Sequence, residues 1–346
     1  MYGVTCRVTK KLDRFERRAV ERLLAEAGLV FEGAPDCTAL AEDCDENIIA
    51  TASLEGSVIK MVAASSEWRE AGLSGQVISA LMSAARAEGR YKFFIYTKPE
   101  AAPKFSALGF RELAASKNSV LMECGAPGVN EYRAMLEAER AKNGPRAGAA
   151  VMNCNPFTLG HQFLIEEGAR QCPVFYVIVV EEDASAFPFA DRLALVREGT
   201  AHIPNVRVIA SGSYAVSKAT FPTYFLKDRG ELPVAAEQAE LDARLFGRLF
   251  VPALGVTRRF VGTEPFCAVT ALYNETLKKI LPEYGCEVVE IARKESGGAP
   301  VSASRVRAMT AEGAEGLEAL LPQVTLDYLK SPRGEEAAAR LRRAAQ

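Results

Sequence analysis

From residue 147 onward, apolar runs and helical spacings alternate along the chain. Ala149 to Met152 are small or apolar throughout, the mark of a strand buried on both faces in a parallel sheet. Asn153, Asn155 and Pro156 break that strand. From Gly160 the spacing turns helical, with Phe163, Leu164 and Ala169 on one face. Val174–Val180 then predicts a strand, Asp191–Ala201 a helix, Val206–Ala210 a strand and Ala235–Leu254 a long helix. Arg258–Val261 predicts a strand ending in Gly262-Thr263-Glu264, followed by a helix over Val269–Leu281, a strand over Glu287–Ile291 and a helix from Val301. This order implies a parallel sheet covered on both faces. Such sheets bind ligands beyond the carboxyl ends of their strands, where the turns at Thr158–His161 and Gly262–Glu264 fall.

The first 125 residues have a different rhythm. Leu12, Phe15, Ala19, Leu23 and Ala27 predict an amphipathic helix after a short strand. Asn47–Ala64, with Glu55-Gly56 as its turn, predicts a hairpin. Trp68–Gly75 is a glycine-containing turn, and Leu73, Val77, Leu81 and Ala84 follow on one helical face. Tyr91–Thr97 predicts a strand, Pro103–Leu108 a short helix and Ser119–Glu123 a last strand. Cys124–Gly128 is a break, and a short helix through Tyr132, Met135, Leu136 and Glu139 stops at Asn143-Gly144-Pro145. The expected layout is a domain over residues 1–125, a linker over 126–146 and a domain over 147–346, with a frayed helix in the tail from Glu335.

Composition narrows the function. The 346 residues exceed one ordinary core. Hydrophobic residues are 49% and charged residues 25%, as in a globular, soluble chain. The net charge of −2 argues against a nucleic-acid partner held by bulk electrostatics. The basic segment Lys10–Arg22 reads as a solvated helix face. The eight cysteines contain no C-x-x-C pair and fit reduced thiols in a cytoplasm. With two histidines, His161 and His202, a His-rich metal site is excluded. Neither a signal peptide nor an apolar run of membrane-spanning length is visible, so no membrane role is expected.

The chemistry concentrates at helix starts. Gly160 and His161 would open a helix, where free N–H groups and the dipole attract phosphate. Glycine leaves room for a phosphate to approach, and a neutral imidazole can donate an N–H to a phosphoryl oxygen. Val301-Ser302-Ala303-Ser304-Arg305-Val306-Arg307 opens another helix. Ser302 or Ser304 can cap it and donate to phosphate, and Arg305 adds a planar charged donor. Taken singly, each motif is also an ordinary helix cap.

Two resemblances follow from these residues. The order of elements before residue 125 resembles the acyl-CoA N-acetyltransferase (GNAT) fold. Arg69-Glu70-Ala71-Gly72-Leu73-Ser74 is similar to that family's pyrophosphate turn, while Phe105 stands where its proton-donating tyrosine is usual. The pair Thr158-Leu159-Gly160-His161 and Ser302–Arg307 resembles the nucleotidyltransferase superfamily. Longer runs, Met152–His161, Ser217–Phe225, Phe260–Cys267 and Ser302–Arg307, resemble the citrate lyase ligase family over nearly the whole chain. The resemblance implies an α/β protein with a GNAT-like α+β domain followed by a Rossmann-like nucleotidyltransferase domain. It implies that ATP and acetate form acetyl-AMP and pyrophosphate. The acetyl group would then pass to the thiol of a CoA-derived prosthetic group on the acyl carrier (gamma) subunit of citrate lyase. His161, Thr158 and Arg305 would be catalytic. Asn153, Asn155, Pro156, Phe157, Gly160, Gly262, Thr263, Glu264, Ser302 and Ser304 would surround the nucleotide, with Lys218 or Arg192 supplying a basic group that the acidic loop Glu181–Asp183 lacks. For Arg192 a plain surface charge is the alternative. Mg²⁺ is expected on the phosphates, with no ligand legible. An adenylyl- or cytidylyltransferase acting on a phosphorylated small molecule, and a non-catalytic ATP-sensing protein that binds a carrier, stand as the competing functions.

Overall fold

The computed structural model describes residues 3–182, 185–217, 232–264 and 267–345. Two compact units, Met1–Glu131 and Tyr132–Gln346, divide the chain.

The first unit contains β1 (Thr5–Thr9), α1 (Arg14–Glu26), β2 (Cys37–Glu42), β3 (Ile48–Glu55), β4 (Val58–Ala64), α2 (Leu73–Ala87), β5 (Lys92–Thr97), α3 (Ala102–Ser106), β6 (Arg111–Ala115) and β7 (Val120–Gly125). Its sheet has the order β1-β2-β3-β4-β5-β7-β6. All neighbours are antiparallel except β4 and β5, which run parallel and pair only through Val58–Phe94 and Ile59–Ile95. This is the mixed α+β order that the acetyltransferase resemblance implies. The core forms where Val77, Ile78, Leu81 and Ala85 of α2 meet Ala39, Ala52, Phe93 and Ile95.

Two expectations change here. The buried stripe of α1 is Val20, Leu23 and Leu24, while Phe15 is 78% exposed. A helix turns about 100° per residue, so Phe15 lies about 140° around the axis from Val20. The helix start is fixed instead by a capping box between Asp13 and Glu16. Strands β2 and β6 lie in stretches where no strand is expected from the sequence.

Helix α4 (Val129–Asn143) crosses the division between the units. The second unit continues with β8 (Ala147–Met152), α5 (Leu159–Ala169), β9 (Phe175–Val179), α6 (Phe189–Gly199), β10 (Val206–Ala210), α7 (Leu232–Leu254), β11 (Val256–Gly262), α8 (Ala268–Ile280), β12 (Glu287–Ile291), the two-residue strands β13 (Glu295–Ser296) and β14 (Ala299–Pro300), α9 (Ala303–Glu312), α10 (Gln323–Leu329) and α11 (Pro332–Ala345). Its five-stranded sheet has the order β10-β9-β8-β11-β12, every neighbour parallel. β8 is central, and no Cβ fits at Gly148, where it would meet Cys172 Sγ at 2.5 Å and Phe260 at 2.9 Å. The tail is a packed helix rather than a frayed one: α11 lies against α9 and α10, and Ala337 is fully buried. Among the described residues no helix is long and apolar enough to cross a membrane.

Candidate nucleotide site

The loop leaving β8 is held from several sides. Arg192 Nη1 donates to Asn153 O (2.7 Å) and Asn153 Oδ1 (2.9 Å). Phe187 N donates to Asn155 Oδ1 (3.2 Å), and Thr325 Oγ1 donates to Phe157 O (2.9 Å). Pro156 and Phe157 are buried, and the Phe157 ring stacks on His161 with centroids 6.2 Å apart. These two residues are wedges that set the loop.

Thr158 caps α5, and His161 occupies the third helical position in a reciprocal cap. The Thr158 N–H donates to His161 Nδ1 (3.1 Å), and Thr158 Oγ1 lies 2.9 Å from the same nitrogen while accepting the His161 N–H at 3.3 Å. An Nδ1 that accepts from a backbone N–H carries a lone pair, so the neutral ring has its proton on Nε2. Burial pushes the His161 pKa down to about 4, helped by the nearby Arg293 and Arg307 charges. His161 is therefore a neutral Nε2–H donor at physiological pH. Thr158, expected to touch phosphate, is 1% exposed and spends its hydroxyl on orienting this ring.

Gly160 also differs from expectation. Its missing Cβ does not open space for phosphate, because a Cβ there would stand 2.8 Å from Val301 O. The glycine lets α5 meet the start of α9, about 140 residues later in the chain. Arg307 Nη1 completes the junction by donating to Asn155 O (2.7 Å). The two loops thus converge on one site.

At α9, Ser302 is the cap and accepts the Arg305 N–H (3.2 Å). Ser304 Oγ accepts from Arg307 Nη2 (3.0 Å). Arg305 is exposed and reaches Ser296 O at 3.4 Å. Of the two arginines that open α9, the structure brings Arg307 to the β8 loop and leaves Arg305 facing away from it. Counting Ser302-x-Ser304-x-x-Arg307 along the sequence leads to the same residue.

At the end of β11, the Gly262 carbonyl accepts from Asn274 Nδ2 (2.9 Å) and Thr263 N–H donates to Ile291 O (3.0 Å). Glu264, expected on the adenosine side, accepts the Cys267 N–H and pairs with Arg293. Its carboxylate is engaged in holding Arg293, a residue that sequence reasoning missed. A Gly297-Gly298 turn between β13 and β14 folds the chain back after Arg293, and Val301 N–H donates to Lys294 O (2.8 Å).

Arg192 is neither a surface charge nor aimed at a ligand. It is fully buried, and it donates to Phe187 O, Val180 O and Glu182 O besides Asn153. A planar guanidinium can bridge that many carbonyls where a point charge cannot. Lys218 and the Arg69 side chain lie outside the described residues. Among the described residues no three His, Cys, Asp or Glu side chains gather as a metal cluster.

A parallel sheet whose central strand feeds a Thr-x-Gly-His helix start, met by a Ser-x-Ser-x-x-Arg helix start, is the arrangement that the nucleotidyltransferase resemblance implies, and it defines a nucleotide-using enzyme. More narrowly, the chain belongs to the citrate lyase ligase family, and it is an enzyme of that ligase class. Residues 147–329 match the family model for the citrate lyase ligase C-terminal domain. Over 330 residues the chain is 38% identical to the citrate (pro-3S)-lyase ligase of Klebsiella pneumoniae, spanning 93% of this chain and 95% of that one. It is 27% identical over 141 residues to the phosphopantetheine adenylyltransferase of Corynebacterium glutamicum, spanning 39% of this chain and 82% of that one. The solved structure of an acyl-CoA N-acyltransferase from Pseudomonas aeruginosa is 21% identical, with a TM-score of 0.30, over 35% of this chain and 98% of that one.

Proposed function

We propose that the chain adenylates acetate with ATP, releases pyrophosphate, and passes the acetyl group to the thiol of the CoA-derived arm on the citrate lyase acyl carrier subunit, in the cytoplasm. The observation that carries this reading is the forced Nε2–H tautomer of His161 at a helix start beside Arg293 and Arg307. Acetate is ionised at neutral pH, so its oxygen needs no general base. The obstacle is an anion attacking a polyanion, and donors fixed in advance lower that barrier. His161 Nε2–H would donate to the α- or β-phosphoryl oxygens. Arg307, Ser304 and Arg293 would take the charge of the leaving pyrophosphate, with Arg305 at the rim. Gly262 and Thr263 would border the adenosine. Mg²⁺ would ride on the phosphates, supplying charge neutralisation with few protein ligands.

The carrier's arm needs a dock, and we assign it to residues 1–125, with 126–146 as linker and 147–346 as the nucleotide domain. The supporting feature is Gly72, at φ +66°, which ends a 3₁₀ turn over Ser66–Ala71 and starts α2 with no side-chain cap. Phe105 is buried and packs edge-on against Phe110 at 6.3 Å, so this unit has no proton donor at that place and would bind rather than catalyse.

Acetate-dependent ATP–pyrophosphate exchange, run across a panel of short carboxylates, tests the reading. His161→Ala should lower exchange by about 10²-fold or more, the scale of losing a transition-state donor. A loss within twofold removes His161 from the chemistry. Exchange that requires a phosphate ester instead of a carboxylate favours the adenylyltransferase alternative.

A further inference from the structure

Among the described residues, four other than glycine have positive φ: Glu46, Met61, Cys154 and Val216. The two in the second unit lie on the loops that leave β8 and β10, both at the carboxyl edge of the sheet. Val216, at φ +48°, is β-branched and so poorly suited to that region. Strain of this kind persists only where the surroundings over-determine it, and it gathers at functional loops.

What holds Val216 is a buried polar chain. The Val216 N–H donates to Asp242 Oδ1 on α7 (2.7 Å). Tyr273 OH on α8 donates to Asp242 Oδ2 (2.6 Å), and Arg259 Nη2 on β11 donates to the Tyr273 oxygen (2.9 Å). Asp242 is fully buried, Arg259 is 1% exposed and Tyr273 is 5% exposed. The Arg259 guanidinium lies 4.0 Å over the Phe246 ring, and its Nε and Nη1 meet no acceptor among the described residues. Apolar side chains would pack this interior at lower cost than a buried guanidinium and carboxylate joined only through a tyrosine hydroxyl. The arrangement is suited to holding a backbone amide in place.

That amide belongs to a loop coupled to the nucleotide site. Ser211 N–H donates to Val179 O (2.9 Å), and Ser211 Oγ accepts the Glu181 N–H (3.0 Å). The next carbonyl, Glu182 O, accepts from Arg192, which also grips Asn153. Displacing the loop after β10 would therefore be felt at the loop after β8.

We propose that Asp242, bridged through Tyr273 to Arg259, is a positioning residue for the nucleotide site, holding the Ser211–Ser217 loop against the rim formed by the loops after β8 and β9. The inference rests on the reading that this rim binds ATP. It is tested in the full chain with Tyr273→Phe, Asp242→Asn and each combined with Val216→Gly. ATP affinity is measured by calorimetry, which needs no acid substrate, and KM and kcat come from exchange. Tyr273→Phe and Asp242→Asn should weaken ATP binding fivefold or more and raise KM for ATP, with kcat changed less than threefold. Glycine adopts φ +48° without strain, so adding Val216→Gly should recover a large part of the loss, which a merely structural role would not predict. If Asp242→Asn fails to fold, the Tyr273→Phe pair decides. Folded variants that bind ATP within twofold of the unaltered chain, or a Val216→Gly change that deepens the loss, overturn the inference alone. An unaltered chain that does not bind ATP overturns the underlying reading and this inference with it.

Discussion

Replacing Gly160 by alanine adds one methyl group where the start of α5 meets the start of α9. The new Cβ would stand 2.8 Å from Val301 O and 3.5 Å from both Val301 Cβ and Thr158 Oγ1. Ordinary contact distances require the first of these to open by about half an ångström. Val301 cannot yield by turning a side chain, because the clash is with its carbonyl. Its N–H is bonded to Lys294 O, and its side chain packs with Val306, Leu320 and Leu321. The start of α9 must shift instead, carrying Ser302, Ser304 and Arg307.

The two stability terms oppose each other. Overpacking costs about 1–3 kcal/mol, while alanine gains up to about 1 kcal/mol over glycine in a helix. The net loss is about 0–3 kcal/mol, a fall in Tm of at most ~12 °C for a unit of this size. Activity is the sharper readout. A 1 Å misplacement costs about 10²-fold, so half of that costs roughly tenfold. Acetate-dependent exchange and a thermal melt of the same preparation separate the two effects. Exchange within twofold of the unaltered chain would refute the reasoning, because the spacing of α5 and α9 would then not set the site.

Four further outcomes follow from the structure. The imidazole ¹⁵N spectrum contains only two histidines, and His161 should appear as the Nε2–H tautomer, neutral down to about pH 4; half-titration above pH 6 would contradict the buried, arginine-flanked ring. Because the folded pKa lies below the unfolded value of about 6.5, the unfolded chain binds more protons between those limits, so His161 contributes at most about 3 kcal/mol that is fully present above pH 6.5 and lost as pH falls toward 4, which denaturant titration across that window checks. Arg192→Met should cost about 3–5 kcal/mol by stranding buried carbonyls, and Arg192→Lys should rescue little of it; a melting temperature unchanged in either variant would remove Arg192 from the scaffold. Gly72→Val, at a positive φ, should block acetyl transfer to the carrier subunit while leaving exchange intact, and equal transfer by the variant would move the arm's dock elsewhere.

Much of the second unit was legible because β8 and β9 are continuous runs of small or apolar residues and α7 and α8 are long. β2 and β6 were not. Cys-Thr-Ala-Leu-Ala-Glu and Arg-Glu-Leu-Ala-Ala lack β-branched runs, and alanine and glutamate favour helix, so pairing with β3 and β7 overrides local preference. The converging loops were readable as motifs, but the roles inside them were not. Thr158 and Ser302 look equally exposed in sequence, yet only the fold reveals that the threonine hydroxyl is used up on His161. Arg305 and Arg307 are two residues apart on a helix, hence about 200° apart around its axis, and only one can face the β8 loop. Arg293 had no signal beyond the Gly-Gly turn that follows it, since its place depends on a hairpin folding it back to Glu264.

The state of His161 also bears on which chemistry the site can perform. Burial chiefly disfavours a charge on the imidazole, and the Arg293 and Arg307 cations nearby disfavour it further. A ring that neutral at physiological pH has no proton to give up, since its Nε2–H is far too weak an acid. It can only lend that hydrogen to an oxygen whose charge is growing. A reaction that needed an acid for its leaving group or a base for its nucleophile would be poorly served. An ionised carboxylate attacking an α-phosphate needs neither, and in the proposed reaction the pyrophosphate would leave as an anion onto the arginines. On the proposed reading, the tautomer lock made by Thr158 would select among phosphoryl chemistries, favouring nucleophiles that arrive already deprotonated over alcohols that must first lose a proton.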